Sequence, residues 1–583
     1  MSSPGAIYES RLKHCEQASD RLARRQRRLT RARRVLFGII VALGILAEKE
    51  RTLPYLLAGP ALLLGLADLG RTHTRRQRDR LDRLTEYYAW RLDCLAGRWA
   101  GRGRTGEQFA DTDHAYAGDL DLFGRGGLFE LLAVTQSPVG EETLAGWLLA
   151  PAGPAEITER QAAAAELRPD LELRERLYLS GSANLANVDL PALRTWLEQP
   201  PKSGRGWLRG AVVGTAAGVV ATAAGMAFAP AGAAPFVAAC LLHLALAGWW
   251  RWRYVGEYTA AEQRVLDLAD VAEALRPLAR NAFRAERLRE IQSALDPTPT
   301  WSFHLLAWLG RRVRAAPPLA ILLYLTSAAL WIDHWRAAAR ALIQKQFWAW
   351  GELEALASLA TFSAEHPDDP FPEFAADGPL LHAEELGHPL LADEKSVRND
   401  VQLDQTSSVL LVSGSNMSGK STLLRTVGVN AVLAQAGATV RASRLRMSPL
   451  AIGATLRIQD SLQAGRSRFY AELLRIRQVQ DLAAGPRTLL FLFDELLHGT
   501  NSRDRRTGAE AIVRTLLEAN AIGLLTTHDL SLTDIAEHLP RTANVHFADR
   551  VEEGELVFDY RMWPGVVGHS NALALMRAVG IRV

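Results

Sequence analysis

Cysteine is scarce in this chain, with three in 583 residues, Cys15, Cys94 and Cys240, and no pair at metal-ligand spacing. That excludes a disulfide framework and a cysteine-built metal site. Net charge is low as well: 67 Lys and Arg against 64 Asp and Glu leave a formal +3, so there is no global basic footprint for nucleic acid. No internal repeat stands out, and a chain of this length is expected to fold as several different domains. The most telling absence is local. Between Arg209 and Arg251 there is no Asp, Glu, Lys or Arg.

This charge-free run splits near Ala229-Pro230-Ala231-Gly232 into two apolar stretches of about twenty residues each, the length of a membrane span. Small residues dominate the first, which suits close helix packing in lipid, and Trp249, Trp250 and Trp252 stand beside Arg251 and Arg253 as an interfacial belt would. The expectation is a transmembrane hairpin over 210–250; the alternative is a buried, Ala-rich helical hairpin. A second hairpin is expected over 35–69, from Val35–Ala47 and Leu53–Ala67 with a charged turn at Glu48–Arg51. Its flanks are basic, Arg24 to Arg34 before and Arg71 to Arg80 after, the pattern of a hairpin with both ends in the cytoplasm. These arginines also suit anionic lipid headgroups or, alternatively, nucleic-acid phosphates. Leu319–Trp335 is apolar too, with a packed core helix and a membrane span as its two readings; the short charge-free part and Asp333 favour the core helix. The localisation implied is a multi-pass protein of the inner membrane with its C-terminal domain in the cytoplasm.

What the chain does contain is a phosphate loop. Gly414-Ser415-Asn416-Met417-Ser418-Gly419-Lys420-Ser421 fits G-x-x-x-x-G-K-[ST], between an apolar strand-like run Val409–Val412 and a helix from Thr422 that ends at Gly437. Strand, glycine loop and helix aim backbone N–H groups at phosphate oxygens. The residues from Gly414 to Thr422 are therefore expected to hold ATP, with Lys420 as a point charge on the β/γ-phosphates and the Ser421 hydroxyl on Mg²⁺. Downstream, the buried-strand run Thr488–Phe493 ends in Asp494-Glu495. Two carboxylates at a strand end are costly unless a cation or a water uses them. Asp494 is read as holding Mg²⁺ through water and Glu495 as polarising the attacking water. A third strand, Ile522–Thr526, leads to His528, placed either to sense the γ-phosphate or to serve as a structural donor.

These motifs resemble the MutS family. GSNMSGKST is similar to its phosphate loop, which usually has proline where this chain has Ser415. Asp494–Asp504 (DELLHGTNSRD) and Thr526–Leu530 (TTHDL) resemble its Walker B and switch-histidine segments. Asp460–Leu473 resembles the stretch that carries its signature serine, here Ser467. Gly387-His388-Pro389, Val397–Asp400 and Gly568–Ala572 resemble the lead-in and the end of its ATPase, and Asp121–Phe123 with Gly127–Leu132 resembles the start of its helical core. The resemblance implies a multidomain protein: a basic helical region over 1–110, an α-helical core over 119–363 with the inserted hairpin, and an α/β P-loop ATPase of ABC type over 379–583. It also implies ATP hydrolysis in a homodimer, with Ser467 of one subunit completing the site of the other, and action on DNA. The departures are an absent Phe-x-Glu mismatch reader, an absent connector domain, and Ser396 where the repair enzymes stack an aromatic on adenine. The alternative is a nucleotide-driven membrane machine that uses the core without DNA.

Overall fold

The structure is a computed structural model that describes residues 3–47, 58–184, 206–228, 233–246, 281–295, 318–376, 378–457, 468–498, 500–552 and 555–567, with a few helical positions between 192 and 198. By internal contacts the chain divides into one unit of 1–133, 144–171 and 358–583 and another of 134–143 and 172–357.

The first unit begins with two long helices, α1 (Pro4–Ala47) and α2 (Ala58–Leu95). They run antiparallel, since the Tyr8 and Tyr88 rings lie 5.5 Å apart, Ser19 donates to Asp82 at 2.6 Å, and Arg33 faces Asp68. The base of the pair is a true core, with Tyr87, Tyr88, Leu84 and both Cys15 and Cys94 buried. Toward the tip Val35, Phe37, Ile45, Leu62, Leu66 and Leu69 are all exposed. At the base, Arg91 forms a buried pair with Glu365 and donates to the Leu131 carbonyl at 3.2 Å. The loop that follows is organised by a buried carboxylate: Glu130, on the short α3 (Leu128–Leu132), accepts the backbone N–H groups of Gly101, Gly103 and Gly126 at 2.7–2.8 Å.

Helix α4 (Pro138–Leu149) runs from one unit into the other, and α5 (Pro154–Leu167) belongs to the first, where Arg160 stacks over the Trp147 ring. The second unit contains α6 (Leu171–Asn184), α7 (Gly206–Phe228), helical residues 234–246, α8 (Glu286–Leu295) and most of α9 (Pro318–Glu365). Within it Glu354 accepts from Ser137 Oγ at 2.6 Å and from the Gln136 and Ser137 N–H groups, and burial pushes its carboxyl up to about 7. Thr215 on α7 bonds His243 at 2.9 Å, which joins the two arms of the second hairpin.

The four expected membrane spans are not found. Among the described residues no helix is long and apolar enough to cross a membrane. At the first hairpin the reason is physical: Val35–Ala47 is only the end of an Arg-rich helix, short of the ~20 apolar residues that a span needs. At the second, α7 and the helical residues 234–246 are among those that do not qualify, and Trp249, Trp250 and Trp252 lie outside the described residues. Leu319–Trp335 is helical, within α9, and that helix is deeply buried further on, at Trp350, Leu353, Leu356, Leu359 and Phe362.

The C-terminal α/β domain carries a small four-stranded sheet, ordered β1-β5-β2-β3 from β1 (Glu373–Phe374), β2 (Leu381–Leu386), β3 (Asn399–Leu403) and β5 (Arg444–Met447). Its main sheet has the order β10-β9-β4-β8-β7-β6, from β4 (Val409–Ser413), β6 (Leu450–Thr455), β7 (Thr488–Phe493), β8 (Ile522–Thr527), β9 (Thr542–Glu552) and β10 (Glu555–Pro564). All its pairings are parallel except β9 with β10. β4, β7 and β8 are mostly apolar and almost wholly buried because helices cover both faces. Those helices are α10 (Lys420–Ala436), α11 (Arg468–Ala483) and α12 (Ser502–Glu518); Val479, Val513, Leu516 and Leu517 close the core over Phe491 and Phe493. The Asn501 side chain caps α12 by accepting the Asp504 N–H. Order reverses at β4, and such a switch point, at the carboxyl ends of the strands, is where open α/β sheets bind ligands.

The segment before α3 straps onto this domain. Asp119 is buried and accepts from Leu456 N, Arg457 N and Arg475 Nη2 at 2.7–2.8 Å, while Leu120 packs where Gly428 leaves no room for a side chain. A Cβ on Gly428 would lie 2.5 Å from Leu120 Cδ2.

Candidate functional site

The phosphate loop connects β4 to α10, as the sequence requires. Gly419 stands at φ 106° directly before the helix, a conformation open to glycine and strained for any side chain. Met417 also has positive φ and is almost fully exposed at the crest of the loop. Lys420 is buried and folds back on the loop, donating to Gly414 O at 2.9 Å and Ser415 O at 2.7 Å. Burial lowers its pKa, an effect that Glu495 and Asp494 oppose. The Ser415 and Ser418 hydroxyls are buried without hydrogen-bond partners. Orphaned polar atoms inside a glycine loop fit a cradle built for phosphate oxygens.

The carboxylates arrive from the neighbouring strands. Asp494 follows β7 and accepts from Ser421 Oγ at 2.6 Å and from Thr526 Oγ1 on β8. A hydroxyl and a carboxylate in contact are hard oxygen donors, so Ser421 and Asp494 fit Mg²⁺. Glu495 takes a left-handed backbone, φ 49°, and its N–H donates to Thr526 Oγ1 at 3.1 Å. Its side chain meets His528 Nδ1 at 3.1 Å. Lys420, Ser421, Asp494, Glu495 and His528 are thus brought to one end of β4, β7 and β8. Ser467 and Gly568–Ala572 lie outside the described residues.

Sequence reasoning missed four participants. Thr526 links Asp494 to Glu495, donating to the carboxylate of the first and accepting the N–H of the second, and its place two residues before His528 was the available hint. Tyr560 lies against the phosphate loop, where a Cβ on Gly419 would sit 3.2 Å from its ring. Asn399 fixes that part of β10 by donating to Tyr560 O at 3.0 Å and accepting from Met562 N at 2.6 Å. No local pattern marks such a long-range clamp. Glu472 on α11 accepts the Leu497 N–H and so holds the turn after Glu495. Ser396 is structural, since its hydroxyl accepts from His388 N at 3.0 Å. His388 Nδ1 in turn accepts from Leu390 N at 3.1 Å, and burial, with Arg425 nearby, pushes its pKa down to about 4.

Residues 410–582 match MutS domain V, the family's P-loop ATPase domain. The chain is similar to the DNA mismatch repair protein MutS of Natronomonas pharaonis, 35% identical over 250 residues, 42% of this chain and 28% of that protein. It is also similar to the DNA mismatch repair protein MutS 2 of Halobacterium salinarum (32% over 253 residues, 43% and 28%) and to MutS of Listeria innocua (34% over 238 residues, 40% and 27%). The chain therefore spans little more than a quarter of the length of the relatives it matches.

Proposed function

We propose that the chain binds and hydrolyses ATP at composite sites between two copies of itself, and uses the closure of those sites to move its helical regions on DNA. The observation that carries this reading is the Asp494 hub. One carboxylate takes the hydroxyl that opens α10 and the hydroxyl that seats Glu495, so the loop and the base are fixed relative to each other. Lys420 exchanges its two carbonyl partners for the β/γ-phosphates. Mg²⁺, held by Ser421 and Asp494, supplies charge neutralisation at the phosphates. Glu495 orients the attacking water and takes its proton, and His528 holds the Glu495 carboxylate in place. Ser467 of the second copy contacts the nucleotide in trans. Ser396 in place of an aromatic base platform argues for weaker selection of the base. We also read the chain as three domains, 1–110, 119–363 and 379–583.

Lys420→Ala should abolish ATP binding. Glu495→Gln should retain binding, reduce turnover by at least ~100-fold and accumulate an ATP-bound dimer. Wild-type turnover by purified Glu495→Gln would remove Glu495 from this role. A second reading, a nucleotide-driven machine at a membrane that does not use DNA, is favoured by the exposed apolar tip of α1 and α2. Binding of homoduplex and heteroduplex DNA at low salt separates the two readings. Salt-sensitive retention supports the first, and retention equal to a no-DNA control supports the second.

A further inference from the structure

Glu495 has a second histidine neighbour that the hydrolytic reading does not use. His498 Nδ1 lies 3.8 Å from Glu495 Oε2, whereas His528 contacts the other oxygen, Oε1, and ligand atoms of all three residues fall within 4.8 Å of one another. We propose that Glu495, His498 and His528 form a binding site for a transition-metal ion of the Zn²⁺ type, and that the bound ion is a brake on ATP turnover. The braking part rests on the assignment of Glu495 as the base; the binding part does not.

The donor set decides the class of ion. Two imidazoles and a carboxylate suit Zn²⁺, Co²⁺ or Ni²⁺, whereas Mg²⁺ prefers an all-oxygen octahedron. With metal–ligand bonds of ~2.1 Å, tetrahedral ligands stand about 3.4 Å apart. The two Glu–His contacts, 3.1 and 3.8 Å, are made to different carboxylate oxygens, and with one ligand atom from each residue all three lie within 4.8 Å of one another, so small side-chain rotations bring them to that spacing. The rings meet edge to face with centroids 5.3 Å apart, so the nitrogens can converge without the rings colliding. Both histidines are exposed enough for an ion to enter and for water to fill the fourth position.

The backbone holds the arrangement. Glu495 and Leu497 are both left-handed, at φ 49° and 58°, which folds the chain so that positions 495 and 498 share a side. Left-handed non-glycine residues cost free energy and persist where the surroundings over-determine them. Here Arg505, on α12, donates to Leu497 O at 3.2 Å and His498 O at 3.1 Å, and Glu472 takes the Leu497 N–H. His528 is fixed by the end of β8. An ion in this position takes a Glu495 oxygen that would otherwise face water.

The test titrates Zn²⁺ into the nucleotide-free full chain against a chromophoric chelator, records the visible spectrum with Co²⁺, and measures ATP turnover in saturating Mg²⁺ with and without Zn²⁺. Wild type should give an intensified four-coordinate Co²⁺ band, and Zn²⁺ should inhibit its turnover. His498→Ala should keep its basal turnover and need ~10-fold or more Zn²⁺ for binding and for inhibition. His498→Gln, closer in shape, serves as a second variant. Equal Zn²⁺ binding by wild type and both variants, or a six-coordinate Co²⁺ spectrum, would overturn the site. Zn²⁺ bound at full turnover would overturn the brake. A four-coordinate Co²⁺ band in a protein that does not hydrolyse ATP would leave the site standing and remove the ATPase reading instead.

Discussion

His388 is held neutral by its surroundings. It is buried beside Arg425, its Nδ1 is committed as an acceptor for Leu390 N, and its pKa is pushed down to about 4. An unfolded histidine titrates near 6.5, so between these values the unfolded chain binds the extra proton. Stability from this residue is complete above the unfolded pKa and is lost as pH falls toward 4. The expected loss between pH 7 and pH 5 is about 2 kcal/mol. His366, half-buried and lowered to about 3 by desolvation, adds to it with the same sign. Glu354, raised to about 7, works in the opposite direction, because its folded carboxyl keeps a proton that the unfolded chain releases as pH rises. Comparing wild type with His388→Asn isolates the single group, since Asn retains an acceptor for Leu390 N. Urea unfolding at the two pH values should show a shallower loss for the variant, and equal slopes would contradict the assignment. Nothing in the sequence predicted this: Gly387-His388-Pro389 was visible as a motif, but burial and a committed nitrogen are properties of the packed state.

At the scale of elements, legibility followed the length of the interaction. β4, β7, β8 and α10 could be read directly, because buried parallel strands are unbroken apolar runs and Gly437 ends α10 in the left-handed conformation. The carboxylates and the histidine were legible for the same reason, each standing just past such a run. The strap through Asp119 was not. Its acceptors serve N–H groups more than three hundred positions away, and no local period records that. The exposed ends of α1 and α2 misled for a related reason: an apolar run has the same composition whether it crosses a bilayer or ends a long amphipathic pair. The strap yields its own prediction. Asp119→Ala leaves the Leu456 and Arg457 amides and the Arg475 guanidinium without their shared acceptor. Because Arg475 is part-exposed and keeps other carbonyl acceptors, the cost is set by the unpaired amides, about 1–3 kcal/mol. Asp119→Asn keeps one acceptor oxygen for the amides and should cost less. Thermal unfolding of the two variants checks the order, and an equal cost would mean that charge with Arg475 dominates over the two amide bonds.

At the scale of the whole molecule, the question is what covers the apolar surface that the fold leaves open. Among the described residues, two groups of large exposed hydrophobics stand out, one at the tip of α1 and α2 and one in the second hairpin, at Val220, Val237, Leu241 and Leu242. Contiguous exposed apolar surface on this scale marks an interaction site. At the α1–α2 tip it borders arginines on both helices, from Arg31 to Arg34 and at Arg71. On the second reading proposed above, an apolar tip with a cationic collar would meet a lipid surface rich in anionic headgroups from one side, without a crossing. The full chain should therefore float with phosphatidylserine- or phosphatidylglycerol-containing vesicles and stay behind with purely zwitterionic ones. Phe37→Ser with Leu66→Ser should weaken flotation several-fold at constant salt, because each removes apolar area that would enter the interface. Raising the ionic strength should weaken the wild type in parallel, since the arginine contribution is screened over about 8 Å at physiological salt. Because neither residue belongs to the phosphate loop or to the strands and turns that hold it, ATP turnover should be unchanged in the double variant. A double variant that floats as well as wild type, yet no longer self-associates in light scattering, would instead assign the tip to contact between two copies of the chain.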